Sequence, residues 1–347
     1  MGLSSIKSSP QAQSQKPQTR ERLDYLDNFR TFLTCLVIYH HVAIPYGGLG
    51  SWGYTSTHHA PATSLPLMAF NLINQSYFMG SFFFLSGYFS AKAWKRKGTA
   101  TFLWMKWLKL GVPAIVFTLF AGPIQITMMK ASREESLGLE ILTDHWRSLR
   151  GFKGPVWYCA VTLVFDIIYT SLPNLANLLS IGFLPVMGLN IAASFLIRHW
   201  YPVGVAFKPL NLQVAFLPQY ICCYALGATL QTPAPILTKT SRKVLVAGSL
   251  ASAASMLGLI HYYPEAYPNP TESIFGGPNL LALAYAIWNE TTGYLLGTSL
   301  LKMFKNSGRL SRSWGVGGLA YAAFLVHPVV CCVVHLGFDG WKGSGVA

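Results

Sequence analysis

Long apolar stretches, each about the length of a membrane span, follow one another along almost the whole chain. A transmembrane helix needs about 20 mostly apolar residues, with about 17–25 as the usual range. Candidate spans of this kind lie near residues 30–47, 66–93, 106–127, 155–172, 178–197, 213–230, 243–262, 279–303 and 315–337. The second span is long enough to be tilted, kinked or split around Gly80. We therefore predict an all-α fold, a polytopic transmembrane helix bundle of about nine spans.

The composition agrees with a membrane bundle. Only 11% of the 347 residues are charged and 52% are hydrophobic, whereas a soluble domain has about 25% charged residues. The net charge of +14 would suit a nucleic-acid partner, but such binding needs Lys and Arg gathered on one solvated face. Here they lie in short clusters between apolar stretches. We expect membrane lipids as partners and no nucleic acid.

The six cysteines lie inside apolar stretches and are predicted to be small packing residues. They show no CxxC or Cys/His spacing of the kind that holds zinc, so no metal site is predicted. They are Cys35, Cys159, Cys222, Cys223, Cys331 and Cys332.

Three parts of the chain differ in character. Residues 1–22 are polar, rich in Ser and Gln, and lack the apolar core of a secretory signal peptide. We predict a disordered cytoplasmic arm there, a transmembrane domain over 23–337 and a short tail over 338–347. The first span then serves as the insertion signal.

The distribution of Lys and Arg predicts the orientation, because cytoplasmic loops are enriched in these residues. With the amino terminus inside, the inner segments hold seventeen Lys and Arg and the outer segments hold eight, with Arg30 at the inner boundary. Two outer loops, 48–65 and 263–278, hold none. The outer loop 128–154 holds five cations together with four acids, which indicates a folded surface element. We predict a cytoplasmic amino terminus, in an endomembrane of a eukaryote or the inner membrane of a bacterium.

The first span carries ionisable residues on one side. A helix turns about 100° and rises about 1.5 Å per residue, so Arg30 and His41 lie within about 20° of each other and roughly 16 Å apart along the axis. Asp27 falls near the same stripe, whereas His40 points about 80° away from Arg30. Ionisable groups at membrane depth normally face a bundle interior or a water-filled cavity. The stripe predicts a polar cavity; otherwise Arg30 is an anchor at the inner boundary and His41 a packing residue.

Other polar groups each allow a functional and a structural interpretation. Asp166, Glu290 and His327 lie inside predicted spans, where each is either functional or a structural partner of Arg30 or of a helix end. A basic cluster lies on the inner side, and it either faces phosphates or anchors the protein to lipid headgroups. This cluster consists of Lys95, Arg96, Lys97, Lys106 and Lys109.

Six segments in order along the chain resemble one family. The opening LDNFR, with ten residues between Arg30 and His41, is followed by FMGSFFFLSGYF at 78–89, a basic segment at 102–113, GPVWY at 154–158, the segment from 217 to 227, and YAAFLVHP at 321–328. Together they resemble the acyltransferase 3 family of membrane O-acyltransferases, including its glucan-modifying branch. The resemblance covers roughly residues 22–336.

The resemblance implies transfer of an acyl group, often acetyl from acetyl-CoA, to a hydroxyl of a small natural product, lipid or glycan. It assigns the catalytic histidine to His41. Asp27 and Arg30 of the first-span stripe and the intramembrane Glu290 are further candidate catalytic residues. A hydroxyl that attacks a thioester needs a general base, and imidazole suits this at neutral pH. Arg30, Lys106 and Lys109 are the expected contacts of the anionic end of acyl-CoA, a co-substrate rather than a tightly bound cofactor.

The chain departs from the family pattern in two places. Lys106 and Lys109 stand where the family usually has arginines, and Lys cannot form the bidentate fork of Arg. The family typically has ten spans, and no tenth follows residue 337 here. We therefore expect an outer carboxyl terminus. The bundle is then either open on one side or closed by a partner protein, and a truncated gene model would also explain the missing span.

Two other functions remain open from the sequence. A membrane-bound terpene cyclase acting on a prenylated substrate would need a strong acid in an apolar pocket, and Glu290 or Asp166 is a candidate for it. A transporter or a structural relative without enzymatic activity would use the buried ionisable groups as a pathway.

Overall fold

The computed structural model describes residues 23–60, 62–174, 183–229, 247–254 and 270–340. The predicted cytoplasmic arm, most of the seventh predicted span and the last seven residues lie outside the described residues. So do Lys239, Arg242 and Lys243 of the inner charge count.

The described part of the chain is mostly helical and has very little strand, which agrees with the all-α prediction. Its helices are α1 (Asp24–Ala43), α2 (Leu65–Lys97), α3 (Thr99–Lys106), α4 (Val112–Ser132), α5 (Glu140–Arg147), α6 (Trp157–Ser171), α7 (Phe183–Trp200), α8 (Leu217–Thr229), α9 (247–254), α10 (Pro270–Phe275), α11 (Leu280–Asn306) and α12 (Ala320–Phe338). Two short strands, β1 (Ala206–Phe207) and β2 (Leu212–Gln213), form an antiparallel hairpin between α7 and α8.

Two of the described helices are both long enough and apolar enough to cross a membrane. One is the continuous helix Thr99–Ser132, in which a π-helical turn at Trp107–Gly111 joins α3 to α4; the other is α12. Helix α2 has 33 residues, about 50 Å, but buried polar residues such as Asn71 and Asn74 lower its hydropathy. The count of nine spans and the orientation stay predictions.

Helix α2 is uninterrupted and is not split at Gly80. One glycine on each helix lets α2 and α8 approach closely. A Cβ atom on Gly87 would lie 2.0 Å from the carbonyl oxygen of Tyr224, and one on Gly227 would lie 2.0 Å from that of Phe84. Small residues at a crossing allow two helix backbones to touch, as is common between membrane helices. Helix α2 also packs against α1, α6 and α11, so it lies at the centre of the fold.

Helix α1 packs its apolar side into the core. Leu26, Leu33 and Val37 are almost completely buried, and by helical geometry they lie within about 60° of Arg30 around the axis. Arg30 and His41 therefore share the inward side of α1, as the sequence predicted.

The two ends of α1 define two ends of the bundle, here called the Asn28 end and the His41 end. At the Asn28 end, the side-chain amide of Asn28 donates hydrogen bonds to the carbonyl oxygens of Leu310 (2.8 Å) and Arg312 (2.6 Å) in the α11–α12 connection. At the His41 end, the α1–α2 connection folds against the last turn of α12.

Candidate functional site

A pair of histidines joins α1 to α12 near the His41 end. The Nδ1 atom of His41 lies 2.8 Å from the Nε2 atom of His327. The two rings are nearly parallel, with centroids 5.1 Å apart and planes 6° apart. The Nδ1 atom of His327 lies 2.7 Å from the carbonyl oxygen of Phe324.

This chain of hydrogen bonds assigns the tautomers of both rings. A carbonyl oxygen only accepts, so Nδ1 of His327 carries a proton and donates it to Phe324. In a neutral ring the other nitrogen then accepts, and Nε2 of His327 accepts from Nδ1–H of His41. The remaining nitrogen of His41, Nε2, is left with a lone pair. The arrangement can therefore take a proton at Nε2 of His41.

His41 lines a large cavity of about 880 Å³. The cavity has an aromatic wall, which includes Trp52, Phe78, Trp157, Tyr220, Tyr285 and Phe324. Polar side chains also line it, namely His40, Asn71, Gln75, Gln125, Lys153, Asn211 and Gln213. Such a lining can hold an organic molecule that has both apolar surface and hydroxyl or carbonyl groups.

Trp52 covers one face of the His41 ring. The two ring centroids are 3.9 Å apart and the planes 19° apart. The sequence did not predict a role for Trp52. The one feature that could have indicated it is the position of Trp52 in a predicted outer loop that contains no Lys or Arg. The sequence named His327 as a buried polar group but did not connect it with His41.

Arg30 lies away from the histidine pair. Its guanidinium forms an ion pair with Asp27 at 2.7 Å and donates to the carbonyl oxygen of Gly317 at 3.2 Å. Within the described residues, neither Arg30 nor Asp27 lines the cavity. Arg30 and His41 therefore lie on one side of α1, but they contact different groups. Arg30 contacts Asp27 and Gly317, whereas His41 contacts His327.

Lys106 is engaged inside the bundle. Its Nζ atom lies 3.0 Å from Oδ2 of the fully buried Asp166 and donates to Oγ of Ser90 at 2.7 Å. The other carboxylate oxygen of Asp166 accepts from the hydroxyl of Tyr224 at 2.6 Å. Lys109, in the π-helical turn, accepts at its carbonyl oxygen from the hydroxyl of Tyr321 at 2.7 Å. The donor-binding roles predicted for both lysines stay predictions.

The comparison with known families matches nearly the whole chain. Residues 23–344 match the family described as an acyltransferase domain, acyltransferase 3. The chain belongs to the acyltransferase 3 family. No curated protein and no solved structure matches it. Family membership supports an acyltransferase function at a membrane, as the sequence motifs predicted.

In this acyltransferase 3 protein, Glu290 belongs to a separate buried cluster between α7 and α11. Its carboxylate accepts from Asn190 (2.7 Å), Ser194 (2.9 Å) and Asn289 (3.0 Å) and lies 3.6 Å from Arg198. The Arg198 side chain, counted in an outer segment by the charge pattern, is fully buried.

The Glu290 cluster does not meet the histidine pair. Among the described residues, neither Glu290 nor Arg198 lines the cavity. Two rings that do line it, Phe216 and Tyr285, lie against the Arg198 guanidinium, with centroids 5.4 and 4.9 Å away. A carboxylate that is paired and hydrogen-bonded in this way has the features of a structural ion pair.

Proposed function

We propose that the protein is a multi-pass integral membrane O-acyltransferase. It moves an acyl group, acetyl in the first instance, from acyl-CoA to a hydroxyl of a small natural product, lipid or glycan, with His41 as the general base. The observation that carries the proposal is the hydrogen-bonded series from His41 through His327 to the Phe324 carbonyl. It leaves one basic nitrogen at a cavity large enough for an acceptor.

The reaction follows from the tautomers. Nε2 of His41 takes the proton of the acceptor hydroxyl while that oxygen attacks the thioester carbonyl. The imidazolium that forms keeps its Nδ1–H bond to Nε2 of His327, which stabilises the positive charge. When the tetrahedral intermediate collapses, the carbon–sulfur bond breaks and the leaving thiolate takes the proton from Nε2 of His41. An ester and free coenzyme A result, and His41 returns to its starting state.

The donor is proposed to come from the Asn28 end. Arg30, Lys106 and Lys109 lie on that side, as do the exposed cations of 95–97. The distance along α1 from Arg30 to His41 is about 16 Å, so phosphates at the Asn28 end require a donor with a long flexible arm, as coenzyme A has. The donor assignment rests on these cations, which lie outside the cavity at His41.

The cyclase alternative finds no support in the geometry. Glu290 accepts three hydrogen bonds beside Arg198, and Asp166 is paired with Lys106. A cyclase acid has to reach an alkene in a pocket, and neither carboxyl group lines the described cavity.

The test is acyl transfer by the purified protein in detergent. Labelled acetyl-CoA is supplied with acceptors taken from a metabolite comparison between a deletion strain and its parent. We expect His41→Gln to lower the rate by about 10²–10⁴-fold, the usual contribution of a general base.

The matched control is His199→Gln. His199 bonds within its own helix to the carbonyl oxygen of Phe195 at 3.0 Å, so its substitution is expected to leave the rate unchanged. Full activity of His41→Gln would overturn the catalytic assignment, and the absence of any acetyl-sized mass difference would overturn the reaction type.

A further inference from the structure

The α1–α2 connection crosses the cavity beside His41. Residues 49–53 line the cavity, and Trp52 among them stacks on His41. We call residues 49–60 the Trp52 loop. The loop is anchored on its α1 side, where the backbone N–H of Gly48 donates to the carbonyl oxygen of Ala43 at 3.0 Å.

The other anchor is a single carboxylate at the end of α12. Oδ1 of Asp339 accepts from the hydroxyl of Ser56 at 2.5 Å. Oδ2 accepts from the backbone N–H of Thr57 at 2.9 Å and from its hydroxyl at 3.0 Å. Nδ1 of His58 lies 3.3 Å from the same oxygen. One side chain therefore gathers three consecutive residues of the Trp52 loop.

Helix stability does not explain an aspartate at this position. A negative charge at the carboxyl end of a helix is opposed by the helix dipole, and Asp339 directly follows the last residue of α12. The carboxylate is compensated by the loop instead. Burial raises the pKa of Asp339, but the hydrogen bonds from Ser56, Thr57 and His58 outweigh burial and hold this pKa well below its usual value.

The anchored segment is also packed by an aromatic side chain. Tyr54 is buried, and its ring stacks on His335 of α12 with centroids 4.9 Å apart and planes 14° apart. Trp52 is two residues before Tyr54 and four before Ser56. This short segment lets Trp52 move little while Asp339 holds Ser56. Release of Ser56 and Thr57 would free the backbone that holds the indole against His41.

We infer that Asp339 is a positioning residue for the acyl-transfer site: it holds the Trp52 loop in the conformation that stacks Trp52 on His41. Trp52 thereby fixes one face of the base and closes that side of the cavity. The expected effect of Asp339 on activity rests on the proposed function, whereas the anchoring of the Trp52 loop does not.

The experiment compares Asp339→Asn with the wild-type protein in detergent by amide hydrogen exchange. Loss of the charged acceptor is expected to speed exchange across residues 51–60 by about tenfold, in line with the weight of hydrogen bonds to a charged group. Exchange within α1 and α12 is expected to stay the same, because no helical bond is removed. Asp144→Asn is the control, since Asp144 and its partner Arg147 are largely exposed.

Activity separates a positioning role from a purely structural one. Asp339→Asn is expected to lower kcat by about tenfold while KM for the donor stays unchanged, because the donor is proposed to bind at the other end of the bundle. In a Trp52→Ala background the same substitution is expected to change kcat by less than about twofold, since two residues that act through one contact are not additive.

Two results would overturn the inference. One is unchanged exchange at residues 51–60 in Asp339→Asn. The other is an equal loss of kcat with and without Trp52. If the wild-type protein transferred no acyl group, the proposed function would fall, and the exchange rates would still decide whether Asp339 holds the loop.

Discussion

His40 and His41 are neighbours on α1 with different surroundings. The ring of the buried His40 stacks on Phe78, with centroids 5.1 Å apart, and its backbone carbonyl accepts from Asn71. His41, turned about 100° further around the helix, meets His327 and Trp52. A difference of one position along α1 therefore decides which of the two histidines contacts His327.

His327 is expected to act on the rate through His41. In His327→Ala the ring of His41 loses the acceptor that fixes its tautomer, so a smaller fraction of molecules presents a lone pair at Nε2. We expect kcat to fall by about 10–100-fold, the effect known for residues that orient metal-ligating histidines. KM for acyl-CoA should stay within about twofold, because an interaction that matters only in the transition state lowers kcat.

The counterpart to His327→Ala is His327→Gln, whose side-chain oxygen can accept from Nδ1 of His41 and restore part of the rate. Equal loss in both variants, together with a lower midpoint of thermal unfolding, would show that His327 only packs.

The sequence named His41 and His327 as candidate residues but did not predict the contact between them. Helical periodicity placed Arg30 and His41 on one inward side of α1, because that inference needs only local geometry. The hydrogen bond between His41 and His327 joins residues 286 positions apart, and no local sequence pattern can predict a contact over that separation. Asp339 was assigned to a short tail, because a lone aspartate after an apolar helix carries no sign that a distant loop folds onto it.

At the scale of helices, the buried pair of Lys106 and Asp166 ties α3 to α6. In Lys106→Met the carboxylate of Asp166 loses its cation, and removing one partner of a buried pair costs about 3–5 kcal/mol. We expect a clear drop in the midpoint of thermal unfolding. The double variant Lys106→Met/Asp166→Asn removes both charges and should recover most of the stability, since a neutral pair leaves no uncompensated charge.

The same double variant tests the donor role of Lys106. If Lys106 also contacts a phosphate of acyl-CoA, KM for the donor should rise by about tenfold in the stable double variant, the loss expected for one charge-assisted hydrogen bond. Lys305→Met, at an exposed position near the end of α11, is the control for loss of one positive charge. An unchanged KM in the double variant would limit Lys106 to a structural role.

The apolar stretches of the sequence overlap the long helices of the described residues, but their ends differ. Helix α1 begins at Asp24 rather than near residue 30, because its polar first turn is stabilised by contacts such as Arg30 with Asp27 and Asn28 with the α11–α12 connection. Of the nine charged residues of loop 128–154, Glu140, Asp144 and Arg147 lie in a folded element, helix α5. Its His145 contacts the carbonyl oxygen of Thr118 on α4, a contact that charge counting cannot reveal.

At the scale of the whole molecule, apolar side chains face outward on several helices. On α12 the exposed residues include Val326, Val330, Val333 and Val334, and on α4 they include Val116, Phe120 and Ile124. Large exposed apolar faces are rare on soluble monomers and are expected on a protein that is surrounded by lipid. In contrast, the polar residues Asn289, Glu290 and Arg198 are fully buried. The arrangement supports the proposed membrane bundle.

The proposed orientation places the Asn28 end in the cytoplasm and the His41 end on the opposite side. It is tested in a cysteine-free background by adding one cysteine at an exposed serine of either end, Ser313→Cys in the α11–α12 connection or Ser148→Cys after α5. In intact cells, or in sealed vesicles if the membrane is internal, a membrane-impermeant thiol reagent should label only the cysteine on its own side. We expect residue 148 to be labelled from the non-cytoplasmic side and residue 313 only after permeabilisation, because the segments with most Lys and Arg stay inside. Both variants should be labelled in detergent, which controls for local access. The reverse pattern would invert the orientation, and labelling of both from one side would mean that the helices between them do not cross the membrane as proposed.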